Sequence, residues 1–337
     1  MKKNRILWLD MLKIIACFLV VVNHTGSYVL DDNYNNITVI FYCLNFAICK
    51  MAVPIFLMVT GSLLLKKQFE YKYILKKIVR ILIPLIAISF VLYYKANGLN
   101  ALAFAKSFLE EPIVYPYWYL YMLISLYLIT PLIQKMLKNF CDKDYIYLFT
   151  ICLIIPSILS VITSLLNINI SSWLFICLFP KTIGIYILGY YLSNCKIDKK
   201  IKNIFWILLI TLISLFFITM YLPYAKGGEI SYIFDGFDTL FAIGEAAALF
   251  YIFRYYFANK CIGEKCSNVI GTISECTFGI YLFHYLVIYR IYHISIIQEI
   301  FKFNRYIGVV LLEIAAFILC GIVTYILKKI PYVKKCL

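Results

Sequence analysis

The sequence predicts an all-α polytopic membrane protein with about ten transmembrane helices and both termini in the cytoplasm. The first indication is composition: 64% of the 337 residues are hydrophobic and the mean hydropathy is +0.88, whereas soluble domains are roughly 45–50% apolar. The second is the recurrence of apolar runs long enough to cross a bilayer. The third is an uneven distribution of Lys and Arg between alternate loops.

Ten apolar runs account for the predicted spans. A helix needs roughly 20 residues to cross about 30 Å of hydrocarbon, and the runs lie at about 7–29, 38–65, 79–94, 117–134, 145–163, 173–193, 204–222, 237–257, 275–296 and 306–327. The first run follows a basic N-terminus, as in a signal peptide, but it lacks an Ala-x-Ala cleavage pattern and contains Asp10 and Lys13. We therefore expect it to remain as the first span of a single membrane domain, residues 1–337.

The loops orient the predicted bundle, because short cytoplasmic loops are enriched in Lys and Arg. With ten spans, both termini and every second loop lie on one side, and that side carries 23 of the 32 Lys and Arg residues. A count of nine or eleven spans would place the basic C-terminal stretch KKIPYVKK on the other side. Both termini are therefore predicted to be cytoplasmic.

Charge and cysteine usage exclude several classes of function. The formal net charge is +15, but the basic residues form short clusters between apolar runs rather than one continuous face, so no nucleic-acid partner is predicted. The twelve cysteines include no Cys-x-x-Cys pair, and most lie within apolar runs as small buried hydrophobes do. The closest polar pair, Cys261 and Cys266, has no companion His, and no metal site is predicted.

Three ionisable residues interrupt the first run, WLDMLKIIACFLVVVNHTG. At about 100° per residue, Lys13 and His24 fall about 20° apart on the helical wheel, and Asp10 lies about 40° from His24. One polar stripe therefore faces away from lipid. In one interpretation Asp10 and Lys13 pair at the inner interface while His24 bonds a neighbouring helix. In the other, His24 lines a polar cavity and titrates there.

Further polar groups fall inside other runs. His284 lies near mid-membrane in TFGIYLFHYLVI, and Tyr281 stands three residues before it. In VPIFLMVTGSLLL a Pro and a Gly interrupt the second run, where Thr60 and Ser62 could line a water-filled cavity. Two buried histidines favour one shared polar cavity, although a structural contact between helices would explain either histidine alone.

The densest basic patch precedes the third run. Lys76, Lys77 and Arg80 fall at positions i, i+1 and i+4, so one helical face can present them together. Such a face suits a polyphosphate ligand. Topology and contact with anionic lipid headgroups would produce the same pattern, and the residues alone leave both interpretations open.

Four stretches resemble the membrane acyltransferase-3 family, integral-membrane enzymes that O-acylate surface carbohydrates: LDMLKIIACFLVVVNH, VPIFLMVTGSLLL, YWYLYMLISLYLITPLI and TFGIYLFHYLVI. Together with KKIVRILIP and IGIYILGYYLS, they cover the chain from end to end. The family's basic residue and histidine, eleven positions apart, fall on Lys13 and His24. Its Arg-x-x-Arg pair falls on Lys77 and Arg80. Lys13 and Lys77 stand where the family prefers Arg; Lys keeps the charge but loses the bidentate guanidinium.

The resemblance implies an acyl-CoA donor, usually acetyl-CoA, on the cytoplasmic side. Lys77, Arg80 and Lys13 would hold its phosphates; the donor is a substrate, and no permanently bound cofactor is implied. The acceptor would be a carbohydrate hydroxyl at the membrane or beyond. His24 would serve either as general base or as covalent acyl carrier, and the sequence does not separate these roles.

Further expectations concern the residues along the acceptor path, the role of Asp10 and the cellular location. Candidates to line the acceptor path are Tyr281, His284, Thr60 and Ser62. Asp10 lies about 21 Å along the helix axis from His24, too far to orient it, and is expected to pair with Lys13. Richness in Lys, Ile, Asn and Tyr resembles an AT-rich bacterial genome, so a bacterial plasma membrane is the expected location and its lipid bilayer a partner.

Two alternatives belong to other functional classes. Some relatives of this fold are membrane domains that handle small amino acids, so the chain could be a carrier or a sensor for a small solute. It could also be a scaffold without chemistry. An enzyme should consume acetyl-CoA and label a carbohydrate, a carrier should move solute without doing either, and a scaffold should tolerate His24→Ala and Arg80→Ala.

Overall fold

The computed structural model describes residues 5–30, 35–66, 71–166, 181–196 and 198–337, and in these ranges the chain is helical without a strand. The helices are α1 Leu7–Thr25, α2 Asn36–Cys49, α3 Ala52–Leu64, α4 Tyr71–Asn97, α5 Ala101–Glu110, α6 Trp118–Leu137, α7 Asp142–Phe149, α8 Ile155–Leu166, α9 Lys181–Asn194, α10 Lys199–Ala225, α11 Leu240–Phe257, α12 Glu264–Tyr292, α13 Ser295–Phe303, α14 Arg305–Leu327 and α15 Pro331–Lys334. The all-α prediction is confirmed.

Seven segments of the described chain are long and apolar enough to cross a membrane: Leu7–Val29, Asn36–Leu64, Tyr115–Leu137, Asp142–Thr163, Ile201–Ala225, Leu240–Phe257 and Arg305–Leu327. An eighth would combine α12 and α13, whose axes are bent by 75° at the break between them. The chain is therefore a polytopic membrane protein, as predicted.

Two of the expected spans, the third and the sixth, are not among these segments. The third, 79–94, lies within α4, which is not among the seven and whose first turns carry Lys72, Lys76, Lys77 and Arg80. The sixth, 173–193, lies partly outside the described residues, which contain only α9 from that region. The structure therefore supports seven or eight spans, and the count of ten stays a prediction.

The second span is broken in its middle. Pro54 has no backbone N–H to donate to the carbonyl of Lys50, and its ring crowds that carbonyl. Accordingly, α2 ends at Cys49 and α3 begins as a separate helix at Ala52. The break places the Lys50 ammonium beside Asp235, with which it forms an ion pair.

The first helix lies inside the bundle rather than against lipid. It packs on α3, α12 and α14. Its buried apolar residues include Leu9, Leu12, Ala16 and Val20. Because other helices surround α1, its polar stripe can face protein and cavities instead of hydrocarbon.

Two glycines bring α3 and α9 into close contact. A Cβ atom at Gly61 would overlap the backbone carbonyl of Tyr186, and one at Gly189 would overlap the backbone of Met58. Small residues at such positions let helix backbones approach closely in membranes. This contact fixes the position of α3, which carries part of the wall around the candidate site.

Candidate active site

Lys13, in the second turn of α1, is separated from His24 by about 16 Å of helical rise. His24 lies in the last turn of α1. Its ring centroid is 5.2 Å from that of His284 and 5.6 Å from that of Tyr285, both on α12. The structure thus brings together the two histidines that the sequence placed within the membrane.

A cavity of about 790 Å³ opens beside His24, and we call it the histidine cavity. Its polar and aromatic lining residues include Asn23, His24, Lys50, Glu111, Trp118 and Asp235. Most of these come from helix ends and from the segments before α6 and α11. Hydrogen-bonding groups and an aromatic face around one concave space are typical of a binding pocket.

Ionic and aromatic contacts hold the segment before α11 against this cavity. Asp235 pairs with Lys50, and Asp238 lies 3.2 Å from the ammonium of Lys181. Between these two ion pairs, the ring of Phe237 stacks on Trp118 with a centroid separation of 5.0 Å. The segment is therefore tied to three different parts of the helical bundle.

A second cavity, of about 460 Å³, lies at the other end of α1, and we call it the basic cavity. Its cationic lining residues are Lys13, Lys77, Arg80, Lys328 and Lys334. The one acidic side chain among the described lining residues, that of Glu275, is bonded by Arg5 and lies 3.1 Å from Lys328. The cavity therefore carries a large excess of positive charge, which suits a polyanionic ligand.

Lys13 enters the basic cavity from a small polar cluster on α1 and α12. Its ammonium lies 3.0 Å from Asp10 Oδ1, and the hydroxyl of Ser274 donates to the same oxygen at 2.6 Å. Asp10 is buried. The carboxylate therefore holds both α12 and the Lys13 side chain in place beside the cavity.

The basic pair on α4 contributes two further cations. Arg80 Nη2 donates to the main-chain oxygen of Leu337 at 2.6 Å. The ammonium of Lys77 lies 5.3 Å and 5.9 Å from the ring centroids of Tyr73 and Tyr127. Lys76 is exposed and is not among the described lining residues, so only two of the three basic residues share the cavity.

The sequence did not identify Lys328 and Lys334 as site residues, because the enrichment of cytoplasmic segments in Lys and Arg already explains a basic stretch at the C-terminus. Only folding brings that stretch beside α1 and α4. Burial lowers the pKa of Lys328, and the positive charge of Arg80 acts in the same direction. Crowding of like charges of this kind is relieved when an anion binds.

Tyr281 is the one described residue that lines both cavities. Its hydroxyl donates to the carbonyl of Pro116, and its ring centroid is 5.5 Å from those of Tyr119 and His284. The basic cavity and the histidine cavity therefore meet at a single side chain on α12.

The remaining sequence candidates lie on α3. Thr60 lines the basic cavity, and its hydroxyl donates to the carbonyl of Phe56 at 2.7 Å. Ser62 is buried, donates to the carbonyl of Val59 at 2.8 Å, and is not among the described residues that line either cavity. Of the two, only Thr60 is placed where a ligand could reach it.

Four buried side chains in the described part of the chain have polar atoms without a hydrogen-bond partner: Ser89, Ser157, Glu245 and His284. Neither carboxylate oxygen of Glu245 has a hydrogen-bond partner, nor does Nε2 of His284. The described residues contain no group of three His, Cys, Asp or Glu side chains arranged to hold a metal ion. Within the described site, the polar groups available are imidazole, hydroxyl, amide, carboxylate, ammonium and guanidinium groups.

The fold and the two cavities define an integral-membrane protein in which a half-buried histidine, His24, lines a polar pocket that meets a polycationic pocket at Tyr281. Comparison with family profiles matches the chain to the acyltransferase domain of the acyltransferase-3 family over residues 6–328. The chain belongs to this family and is an acyltransferase, which confirms the resemblance seen in its sequence. Neither a curated protein nor a solved structure matches it.

Proposed function

We propose that the protein is an O-acyltransferase that moves an acyl group, acetyl in the simplest case, from cytoplasmic acyl-CoA to a hydroxyl of a cell-surface or lipid-linked carbohydrate. One observation carries the proposal: two cavities of different chemistry meet at Tyr281, next to His24. Such an arrangement lets a donor and an acceptor approach one histidine from opposite sides. The setting that fits is a bacterial plasma membrane.

The basic cavity supports the donor half of the proposal. Coenzyme A carries several phosphate oxygens at one end and its thiol at the end of a flexible arm, so it needs a cluster of cations and a path inward. The cluster comprises Lys13, Lys77, Arg80, Lys328 and Lys334. The path would run past Thr60 to Tyr281, and the excess of Lys and Arg predicts that this side faces the cytoplasm.

The histidine cavity supports the acceptor half. A sugar presents several hydroxyls around an apolar ring face, and the cavity offers hydrogen-bonding groups on Asn23, Glu111 and Asp235 next to the indole of Trp118. His24 lines the same cavity. An acceptor hydroxyl bound there would lie within reach of the imidazole.

The proposed chemistry has two possible routes. In the first, His24 removes the proton of the acceptor hydroxyl while its oxygen attacks the thioester carbonyl, the C–S bond breaks, and the proton passes to the CoA sulfur. In the second, a His24 nitrogen attacks the thioester and carries the acyl group to the hydroxyl. Both routes produce an ester and free CoA, and both require the imidazole.

Transfer of label tests the proposal. Inside-out membrane vesicles from cells that contain the surface carbohydrate receive radiolabelled acetyl-CoA, with wild type, His24→Ala or His293→Ala at equal protein level. We expect alkali-labile label in lipid-linked or polymeric carbohydrate for wild type and His293→Ala, and a loss of at least about hundredfold for His24→Ala. Absence of transfer by wild type with acetyl, propionyl and succinyl donors would overturn the enzyme assignment.

Donor binding is tested separately by equilibrium binding of CoA to the purified protein. Arg80→Ala should weaken binding by about tenfold or more, as loss of a charge-assisted contact to phosphate does. Lys76→Ala is the matched control, because Lys76 lies four residues earlier on the same helix but is not in the described lining. Equal effects of the two variants would argue against the basic cavity as the donor site.

A carrier remains the second candidate, because two cavities separated by one side chain are also what alternating access to a solute requires. A carrier would bind solute in the histidine cavity without consuming acetyl-CoA. If wild type transfers no label, uptake of small amino acids into the same vesicles becomes the next measurement.

A further inference from the structure

His284 is held in one orientation beside Tyr281, the residue at which the two cavities meet. The residue is fully buried, and its Nδ1 lies 2.6 Å from the carbonyl oxygen of Tyr281, one helical turn earlier. A carbonyl oxygen only accepts hydrogen bonds, so in the neutral imidazole this bond requires the hydrogen to be on Nδ1. Nε2 then has a lone pair and no hydrogen, and it has no partner among the described residues.

His24 is the ring from another helix that lies against His284. The two ring centroids are 5.2 Å apart and the ring planes are inclined by 41°. The other rings in contact with His24 are those of Tyr285 at 5.6 Å and Tyr115 at 6.4 Å. Ring nitrogens that face each other across this centroid separation lie within hydrogen-bond distance. Rotation of the His24 ring about its last side-chain torsion would turn a nitrogen toward His284 without breaking the Nδ1 bond of His284.

A histidine that acts as general base needs a second group to fix which nitrogen carries the hydrogen. In serine hydrolases a carboxylate does this. Among the residues that the structure describes, no carboxylate forms an ion pair with His24. Asp10 on α1 and Glu313 on α14 have other partners, Lys13 and Thr25. Of the two acids that line the histidine cavity, Asp235 pairs with Lys50, and no described contact joins Glu111 to the His24 ring. The acceptor that lies against His24 is the imidazole of His284.

We propose that His284 is the positioning residue for His24: its Nε2 accepts a hydrogen bond from one N–H of His24, which leaves the other His24 nitrogen free to face the acceptor hydroxyl. This inference rests on the proposed function and goes beyond it. It replaces the carboxylate of a hydrolase triad with a neutral ring that is itself oriented by a backbone carbonyl.

The proton inventory follows from this arrangement. The acceptor hydroxyl gives its proton to the free nitrogen of His24 as its oxygen attacks the thioester carbonyl. The hydrogen bond to His284 then stabilises the cationic His24 ring. When the C–S bond breaks, the proton moves from His24 to the CoA sulfur, so His24 is regenerated. His284 neither gains nor loses a proton in the cycle.

The first test does not depend on activity. The chain has three histidines, so NMR of the full-length protein with isotope-labelled histidine resolves each ring. We expect His284 to carry its hydrogen on Nδ1, and the His24 ring-nitrogen signals to shift in His284→Phe but not in His293→Phe. A hydrogen on Nε2 of His284, or unchanged His24 signals in His284→Phe, would overturn the proposal.

The second test compares kinetic constants for label transfer in the vesicles. His284→Phe keeps a ring but loses the acceptor, and we expect kcat to fall by about hundredfold while the KM for acetyl-CoA changes by less than about twofold. His284→Gln restores an acceptor and should recover at least about tenfold of that loss.

The outcomes separate this inference from the proposed function. If His284→Phe keeps the kcat of the wild type while His24→Ala is inactive, the positioning role of His284 is overturned and the proposed function is not. If His284→Phe and His284→Gln lose folded protein and activity to the same extent, the positioning role is also overturned, because lost packing would then be the cause. If wild type transfers no label but the NMR signals behave as expected, the acyltransferase proposal fails and the pairing of the two rings stands.

Discussion

At the scale of single residues, Asp10 illustrates how the bundle accommodates charge within a membrane helix. Its carboxylate accepts hydrogen bonds from Lys13 and Ser274, so the buried charge is both paired and hydrogen-bonded. A buried carboxylate that lost one of these partners would be strongly destabilising. The pair therefore fixes the Lys13 ammonium at the edge of the basic cavity without leaving an isolated charge.

Substitutions of Lys77 test whether the cavity cations act on the donor. Lys77→Ala removes a charge from the basic cavity, and we expect the KM for acetyl-CoA to rise by about tenfold with little change in kcat, because the lost contact is equally strong in the ground and transition states. Lys77→Arg supplies a bidentate group and should leave the KM unchanged or lower it. Steady-state label transfer measures both.

Lys76→Ala is the control for this pair of variants, because it removes the neighbouring charge from outside the described lining. Added salt should raise the KM less in Lys77→Ala than in Lys76→Ala, because Lys77→Ala has already removed one of the donor contacts that salt weakens. A rise in KM of the same size in Lys76→Ala would show that the overall charge of α4 matters rather than the cavity.

The sequence predicted the site residues that lie together on one face of a single helix. Lys13 and His24 share one helix face because eleven residues make just over three turns, and Lys77 and Arg80 are about one turn apart. Contacts between distant parts of the chain were not predictable in this way. Lys50 meets Asp235 across 185 positions of sequence, and neither residue type nor spacing indicates that partner.

At the scale of elements, the break between α2 and α3 has a local sequence signal, which is Pro54. The 75° bend between α12 and α13 has no such signal. The stretch YHISIIQ at that bend contains neither Pro nor Gly. The physical reason lies in α13 itself, which buries no residue and exposes Ile296 and Phe303. An amphipathic helix of this kind is stable along a membrane interface rather than across the bilayer.

The close approach of α3 and α9 yields a second prediction. Gly189→Ala places a methyl group against the backbone of Met58, and backbone cannot move aside as a flexible side chain can. We expect the free energy of unfolding to fall by at least about 2 kcal/mol, with a lower thermal midpoint of the purified protein in detergent. Gly61→Ala should behave alike, because its methyl group meets the backbone of Tyr186.

Gly321→Ala is the matched control on α14. There the nearest atom to a new methyl group is Ile280 Cδ1 at 3.7 Å, an ordinary van der Waals contact. Alanine is also the better helix former, so the midpoint should rise or stay constant. If Gly189→Ala were as stable as Gly321→Ala, the close contact between α3 and α9 would be refuted.

At the scale of the whole molecule, native cysteines report the predicted orientation. Cys141, Cys261 and Cys266 are exposed and lie on the side predicted to be cytoplasmic. A membrane-impermeant maleimide should therefore label them in inside-out vesicles and leave them unlabelled in intact cells. Lys106→Cys, on the exposed helix α5, should show the opposite pattern. Labelling of the native cysteines in intact cells would reverse the assignment of both cavities to their sides.

The meeting of two cavities at Tyr281 has an electrical consequence. A water-filled cavity conducts ions, so a membrane potential would fall mainly across the thin layer that contains Tyr281 and His24 rather than across about 30 Å of hydrocarbon. In the proposed reaction, a proton leaves the outer hydroxyl and ends on the inner sulfur. When one elementary charge crosses the full membrane potential, its free energy changes by about 2.3 kcal/mol per 100 mV. Turnover would then depend on the energised state of the cell as well as on its supply of acyl donor.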